Sequence, residues 1–159
     1  MHDPELDQLA SQIGQVLKAR EQLLVTAESC TGGWIAEVIT SVPGSSAWFD
    51  RGFVSYSNLA KQQMLGVDPN IISVHGAVSE ATVRAMAEGA LIHSSADIAL
   101  AVSGIAGPGG GSNNKPVGTV CFAWAARNGV IKTATQLFSG DRYLIRRLSV
   151  IAALNGLLG

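Results

Sequence analysis

The sequence predicts an α/β fold, specifically a three-layer α/β/α sandwich whose mixed sheet is mainly parallel. Segments with helical and strand patterns alternate from the start of the chain to Val102, which is typical of helices that connect parallel strands. Further along, two apolar segments flank Arg127-Asn128-Gly129, and Asn-Gly is a strong signal for an antiparallel hairpin. Apolar residues make up 47% of the chain and charged residues only 14%, which favours buried strands covered by helices on both faces.

Each predicted element has a local basis in the sequence. Apolar residues at three- and four-residue steps predict a first helix over 4–19, with Pro4 suited to its first turn. Short apolar and β-branched runs predict the strands, and Asp141 is suited to cap the last helix. Asp68-Pro69-Asn70 predicts a turn. The remaining predicted elements, in chain order, are strand 23–27, helix 34–39, strand 48–56, helices 57–65 and 79–93, strands 98–102, 117–125 and 130–138, and helix 143–158.

A single domain spanning 1–159 is expected, because this length suits one domain and neither a linker nor an internal repeat is evident. The chain does not begin with a secretory signal, and no apolar run reaches the roughly 18 residues of a membrane span. With only two cysteines, we expect a cytoplasmic protein without a membrane partner. The low charge content favours a homo-oligomer, with a dimer as the first expectation.

The charge balance argues against a nucleic-acid partner. The formal net charge is −1, and the densest basic group is only Arg142, Arg146 and Arg147. The three histidines and two cysteines lack the spacing of metal ligands, so no metal site is expected.

The first motif that could carry chemistry is the segment 26–33, in which Ser29 lies in a bend between a strand and a helix. The start of a helix offers unpaired N–H groups that can stabilise an oxyanion or hold a phosphate. A simpler interpretation is that Ser29 and Thr31 only cap the helix. Cys30 is a rival nucleophile, with His75 or His93 as its base, although such a cysteine is more often a small buried apolar residue.

A base for Ser29 is needed because a serine hydroxyl is a weak nucleophile until its proton is removed. Lys61 is a candidate, since lysine replaces histidine in the Ser-Lys variants of the hydrolytic triad. It would have to be neutral, so its pKa must fall from about 10.4. Tyr56 could relay a proton or orient the lysine. The simpler interpretation leaves Lys61 on a solvated helix surface.

Two further polar elements follow predicted strands. Ser103 begins a glycine-rich segment, 103–116, which matches neither the phosphate-loop nor the dinucleotide-binding spelling. Ser103 and Gly104, at the end of the strand, are its most site-like part, and the rest could be a flexible loop. Arg142 opens the last helix and suits a phosphate by charge and geometry, or is simply exposed.

Long motifs along the chain resemble one family. They are TAESCTGG (26–33), PGSSAWFDRGFVSYSNLAK (43–61), HGAVSE (75–80), SGIAGPGGGSNNKPVGTV (103–120) and FSGDR (138–142). In these motifs the chain is similar to the CinA C-terminal domain family, and particularly to its stand-alone nicotinamide-nucleotide amidases.

The resemblance implies hydrolysis of nicotinamide mononucleotide to nicotinate mononucleotide and ammonia, in the recycling of pyridine nucleotides for NAD. It implies no metal or organic cofactor. By the same resemblance Ser29 would be the nucleophile, Lys61 the general base and Tyr56 an assisting group. Thr31 and Ser103 would line the site, and Arg142 would contact the substrate at its phosphate.

Two other functions stay open at this point. One is a Ser-Lys amidase that acts on a different nucleotide-like substrate. The other is a catalytically silent nucleotide-binding or regulatory module of the same family.

Overall fold

The protein is described by a computed structural model, which covers residues 2–159. In this part of the chain the helices are α1 (Pro4–Ala19), α2 (Trp34–Thr40), α3 (Asn58–Leu65), α4 (Pro69–His75), α5 (Glu80–Ile92) and α6 (Arg142–Asn155). The strands are β1 (Leu24–Glu28), β2 (Phe49–Val54), β3 (Ile98–Gly104), β4 (Thr119–Ala126) and β5 (Ile131–Leu137), and a short 3₁₀ turn covers Ser45–Ala47.

The five strands form one sheet in the order β2-β1-β3-β4-β5. Strand β1 pairs in parallel with both β2 and β3, whereas β4 is antiparallel to β3 and to β5. Strands β2, β1, β3 and β5 therefore run in one direction, and β4 alone opposes them. The predicted α/β class with a mixed sheet and the hairpin across Asn128-Gly129 are confirmed.

Helices cover both faces of this sheet. On one face, α1, α2 and α6 pack over a core that includes Ile13, Ile35 and Phe122. On the other face, α3, α4 and α5 pack over alanine-rich parts of the strands together with Met86. Small strand side chains let α5 approach the sheet closely, so the second core is thin but fully buried.

Helix α5 also presses on the end of α3. A Cβ atom added at Gly89 would lie 1.9 Å from the carbonyl oxygen of Leu65, so only glycine fits at this crossing. Gly66, with a φ of 68°, ends α3 in the left-handed conformation that glycine favours. Gly89 thus allows the close crossing of α5 and α3, and Gly66 allows α3 to end at that crossing.

The predicted turn at Asp68-Pro69-Asn70 is wrong, because these residues begin α4. Asp68 is the N-cap, its carboxylate accepts the N–H of Asn70 at 2.8 Å, and proline occupies the first turn. The same residue types favour both turns and helix starts, so their pattern alone cannot separate the two. Within residues 2–159, no helix has both the length and the apolar character needed to cross a bilayer.

Candidate active site

The candidate site lies where β1 and β3 end side by side. Glu28 and Val102 are paired in the parallel register, and the N–H of Ser29 donates to the carbonyl of Val102 at 3.1 Å. Ser29 and Ser103 therefore follow at equivalent positions at the carboxyl edge of the sheet, where open α/β sheets hold their ligands. Helix α3, which begins after β2, brings Lys61 to the same edge.

The side chains of Ser29 and Lys61 are in direct contact. Lys61 Nζ lies 3.0 Å from Ser29 Oγ, and it also donates to the carbonyl oxygens of Ser55 at 3.2 Å and Tyr56 at 2.9 Å. Ser29 Oγ in turn donates to the carbonyl of Tyr56 at 3.3 Å. The two backbone carbonyls thus hold the amine against the hydroxyl.

Burial disfavours the charged form of the Lys61 amine. The residue is only 1% exposed, and within the described residues no carboxylate lies within ion-pair distance of it. Burial lowers the pKa of Lys61 below its ordinary value, because the charged form loses its hydration. A neutral lysine in contact with a serine hydroxyl can accept the proton of that hydroxyl. The solvated position offered above as the simpler interpretation of Lys61 is contradicted.

Cys30 is a poor rival to Ser29. The side chain is 6% exposed, and burial raises the pKa of its thiol to about 12. The thiol is therefore protonated at neutral pH, whereas the nucleophile in cysteine chemistry is the thiolate.

Glu28 is the site residue that the sequence analysis missed. Its carboxylate is 1% exposed and accepts three hydrogen bonds: from the Thr31 hydroxyl at 2.6 Å and from the N–H groups of Ile35 at 2.9 Å and Ala36 at 3.0 Å. The signal for Glu28 in the sequence was a charged residue at the end of a mostly apolar strand. Its partners are mostly backbone groups, which leave no pattern in the sequence.

The capping interpretation of Ser29 and Thr31 is wrong. The N-cap of α2 is Gly33, with a φ of 98° and no side-chain capping bond, and Glu28 takes the N–H groups of the first turn instead. The N–H groups of Gly32 and Trp34 are also used locally, donating to the carbonyls of Ser29 and Thr31. The supply of free donors at the helix start is therefore smaller than expected.

Three N–H groups of the bend stay free of protein partners. Those of Cys30, Thr31 and Gly33 donate no hydrogen bond to any residue in 2–159. Of these three residues only Cys30 lines the cavity next to Ser29, so its N–H is the donor of this bend that an oxyanion could use.

A cavity of about 330 Å³ opens directly onto Ser29. Four further predicted site residues line it together with the glycine-rich loop, namely Lys61, Tyr56, Ser103 and Arg142. Thr31 does not line it: its side chain is 0% exposed and its hydroxyl faces Glu28. A larger cleft of about 600 Å³ lies between α1, α2 and the start of α6 and contains none of the predicted site residues.

The polar groups on the cavity wall differ in how they are held. Ser103 is 1% exposed, lines the cavity, and makes no side-chain hydrogen bond within the described residues. Arg142 Nη1 donates to the carbonyl of Gly107 at 2.8 Å, and its Nη2 lies 3.4 Å from the Tyr56 hydroxyl. The Tyr56 side chain thus faces Arg142, while its backbone carbonyl faces the Ser29–Lys61 pair. Across residues 2–159, no cluster of three or more His, Cys, Asp or Glu side chains could hold a metal ion.

Fold and site together define an α/β protein with a serine–lysine pair at the carboxyl edge of its sheet. The family model described as CinA C-terminal domain matches residues 6–159. The chain belongs to the CinA C-terminal domain family, which confirms the resemblance seen in the motifs.

Individual relatives agree with this assignment. The chain is 57% identical to the nicotinamide-nucleotide amidohydrolase PncC of Escherichia coli K12, covering 99% of this chain and 95% of that one. It is 53% identical to the protein of the same name from Pseudomonas putida, over 94% and 93% of the two chains. The crystal structure of the competence/damage inducible protein CihA from Agrobacterium tumefaciens superposes with a TM-score of 0.96 at 45% identity, over 99% of this chain and 96% of that one.

Proposed function

We propose that this chain hydrolyses the carboxamide of nicotinamide mononucleotide, giving nicotinate mononucleotide and ammonia, and so serves the recycling of pyridine nucleotides. The observation that carries the proposal is the contact of 3.0 Å between a buried lysine amine and the Ser29 hydroxyl. The high identity to relatives named nicotinamide-nucleotide amidohydrolase supports this choice of substrate.

The first half of the reaction forms an acyl-enzyme. Ser29 Oγ attacks the carboxamide carbon while neutral Lys61 accepts the hydroxyl proton. The free N–H group of Cys30, which lines the cavity, is a donor for the oxyanion of the tetrahedral intermediate. When the C–N bond breaks, Lys61 returns the proton to the departing nitrogen, and ammonia leaves.

The second half releases the acid. A water molecule gives its proton to Lys61 and attacks the ester carbon of the acyl-enzyme. Collapse of this second intermediate breaks the bond to Ser29 Oγ, which takes the proton back from Lys61. No metal or organic cofactor is required in either half.

The remaining cavity residues are suited to hold the substrate. The unpaired hydroxyl of Ser103 lies at the strand end beside Ser29 and is available to the carboxamide. Arg142, which lines the cavity together with the glycine-rich loop, is suited to the phosphate by its charge and its forked donors. Tyr56 assists by its backbone carbonyl at the pair and by its hydroxyl at Arg142. Thr31, which the resemblance placed at the site, donates its hydroxyl to Glu28 and is suited to positioning the bend.

The proposal extends to the domain extent, the cellular location and the assembly of the protein. The chain acts as one domain over 1–159, in the cytoplasm, as a homo-oligomer for which a dimer is the first assembly to test. Exposed apolar side chains at Leu59 and Tyr143, 58% and 57% exposed, are consistent with a surface that assembly would cover.

Ammonia release from nicotinamide mononucleotide tests the proposal. Ser29→Ala and Lys61→Ala should each lower kcat at least about a hundredfold, as loss of a nucleophile or its base does in other hydrolases. Lys18→Ala, which removes an exposed lysine of α1, is the matched control and should keep full activity. Full activity in Ser29→Ala would refute the mechanism. Turnover of a different amide would point to another substrate, and tight nucleotide binding without any turnover would point to a regulatory module.

A further inference from the structure

Glu28 is a buried carboxylate without a cationic side chain beside it in the described part of the chain. Burial of an ionised carboxylate is costly unless donors replace its water. Here three donors do so: the Thr31 hydroxyl and two N–H groups of the first turn of α2. The positive end of the α2 dipole adds to the stabilisation of the charge.

These bonds close the bend that carries Ser29. Glu28 immediately precedes Ser29, and its side chain reaches forward across the bend to Thr31 and to the helix that follows. Ser29 is thus enclosed between a strand end and a helix start that the same carboxylate holds together. The bend has little freedom to move while these bonds persist.

The backbone of Glu28 reaches the lysine side of the site as well. Its carbonyl oxygen accepts the N–H of Ser55 at 2.9 Å and faces the Ser55 hydroxyl at 3.4 Å. The carbonyl of Ser55 is one of the acceptors that hold Lys61 Nζ. Glu28 therefore directly precedes Ser29 in the chain, and hydrogen bonds through Ser55 connect it to Lys61.

We propose that Glu28 and Thr31 form a positioning pair, in which the carboxylate and the hydroxyl fix the bend so that Ser29 Oγ stays within reach of Lys61. This inference rests on the proposed function of Ser29 as a nucleophile. Neither residue of the pair lines the cavity, so they act through Ser29 and do not touch the substrate. A displacement of the nucleophile by about 1 Å is enough to cost on the order of a hundredfold in rate.

Conservative variants separate positioning from binding. Glu28→Gln keeps the shape of the side chain but replaces one of the two accepting oxygens by an amide N–H₂ group. That group would face the N–H of Ala36, or else the N–H of Ile35 and the Thr31 hydroxyl. Thr31→Val keeps the shape and removes the hydroxyl, whereas Thr31→Ser keeps the hydroxyl. Glu37→Gln removes an exposed carboxylate from α2, the helix whose first turn Glu28 binds, and is the matched control.

Two readouts are needed, because one of them must not depend on the natural substrate. The first is kcat and KM for nicotinamide mononucleotide, followed by ammonia release. The second is the rate at which a fluorophosphonate probe labels Ser29, which reports the reactivity of the hydroxyl for any substrate.

In Glu28→Gln and Thr31→Val, kcat and the labelling rate should both fall about tenfold to a hundredfold, with KM within about threefold of wild type. Thr31→Ser should recover most of the rate, and Glu37→Gln should behave as wild type. Unchanged kcat and labelling in folded Thr31→Val would overturn the proposal, as would a rise in KM alone, which would make Thr31 a binding residue.

The test still decides the question in two less favourable cases. If circular dichroism shows that Glu28→Gln is unfolded, the comparison of Thr31→Val with Thr31→Ser decides the question. If wild type releases no ammonia but its Ser29 is labelled, the proposed substrate fails while the labelling rates still test the positioning pair. Equal labelling of wild type, Thr31→Val and Thr31→Ser would then refute it.

Discussion

Lys61 Nζ lies 3.0 Å from Ser29 Oγ, although 32 residues separate the two in the chain. The contact exists because β1 and β2 are parallel neighbours, so the bend after β1 and the helix after β2 leave the sheet at the same edge. Parallel pairing thus brings the two side chains together, and burial of Lys61 keeps water away from the amine.

The pH dependence of the reaction should follow the protonation of Lys61. Only the neutral amine accepts a proton, and burial lowers the pKa of Lys61 from its ordinary value of 10.5. We therefore expect kcat/KM to rise with pH along a limb whose midpoint lies below 10.5. The measurement is kcat/KM by ammonia release from about pH 6 to 10, after checking that the protein stays folded. A rate that declines steadily with pH across this range would contradict a neutral lysine base.

The free energy of unfolding should also depend on the protonation of Lys61. Because the pKa of Lys61 is lower in the folded state, the unfolded chain binds more protons between that lowered value and 10.5. The free energy of unfolding contributed by this group therefore rises with pH in that window. Urea unfolding of wild type and Lys61→Met at several pH values isolates the contribution as a difference. Parallel pH profiles of the two proteins would show that the pKa of Lys61 is not lowered.

Loss of Arg142 should weaken substrate binding more than chemistry. Its guanidinium lines the cavity, donates to the carbonyl of Gly107 and lies near the Tyr56 hydroxyl, and it makes no hydrogen bond to Ser29 or Lys61. We expect Arg142→Met to raise KM about tenfold or more and to lower kcat only a few-fold, since binding lost equally from ground and transition states changes KM. Arg84→Met, which removes an exposed arginine of α5, is the control. An unchanged KM would remove the binding role.

The ion pair at the start of the chain should stabilise the fold except in acid. Hydrogen bonds from Arg147 lower the pKa of Asp3 from 3.8, so its contribution is present above that value and is lost as pH falls through the lowered pKa. Asp3→Asn keeps a good N-cap for α1 but removes the charge and one of the two oxygens that accept from Arg147. It should cost about 0.2–1 kcal/mol at pH 7, the usual range for a screened pair, and less near pH 2, where the carboxyl is closer to its protonated form. Equal losses at both values, measured by urea unfolding, would assign the effect to the cap.

Much of the site could be predicted because strand ends are visible in the sequence. Ser29 and Ser103 each follow an apolar run, and parallel strands bring such ends together. The burial of Lys61 could not be predicted from its segment, because a lysine on a short helix is usually solvated. Only the packing of α3 under α5 decides its depth.

Other features depend on contacts that leave no periodic pattern. Glu28 looks like the charged end of a strand, and its role follows from backbone groups that approach it only in the fold. The family resemblance implied that Thr31 lines the site, whereas in the fold its hydroxyl donates to Glu28. Helix α4 was missed because its cap uses the residues of a turn.

The crossing at Gly89 gives a residue outside the cavity an influence on the electrostatics of the reaction. Any side chain there would meet the carbonyl of Leu65 and push the last turn of α3 away from α5. Water could then reach the amine of Lys61 from behind, and hydration would restore its affinity for a proton. The nucleophile, the base and the pocket would remain, but the pKa of the base would rise, and activity would move to more alkaline solution. Under the proposed mechanism, the spacing of α3 and α5 would therefore set the working pH.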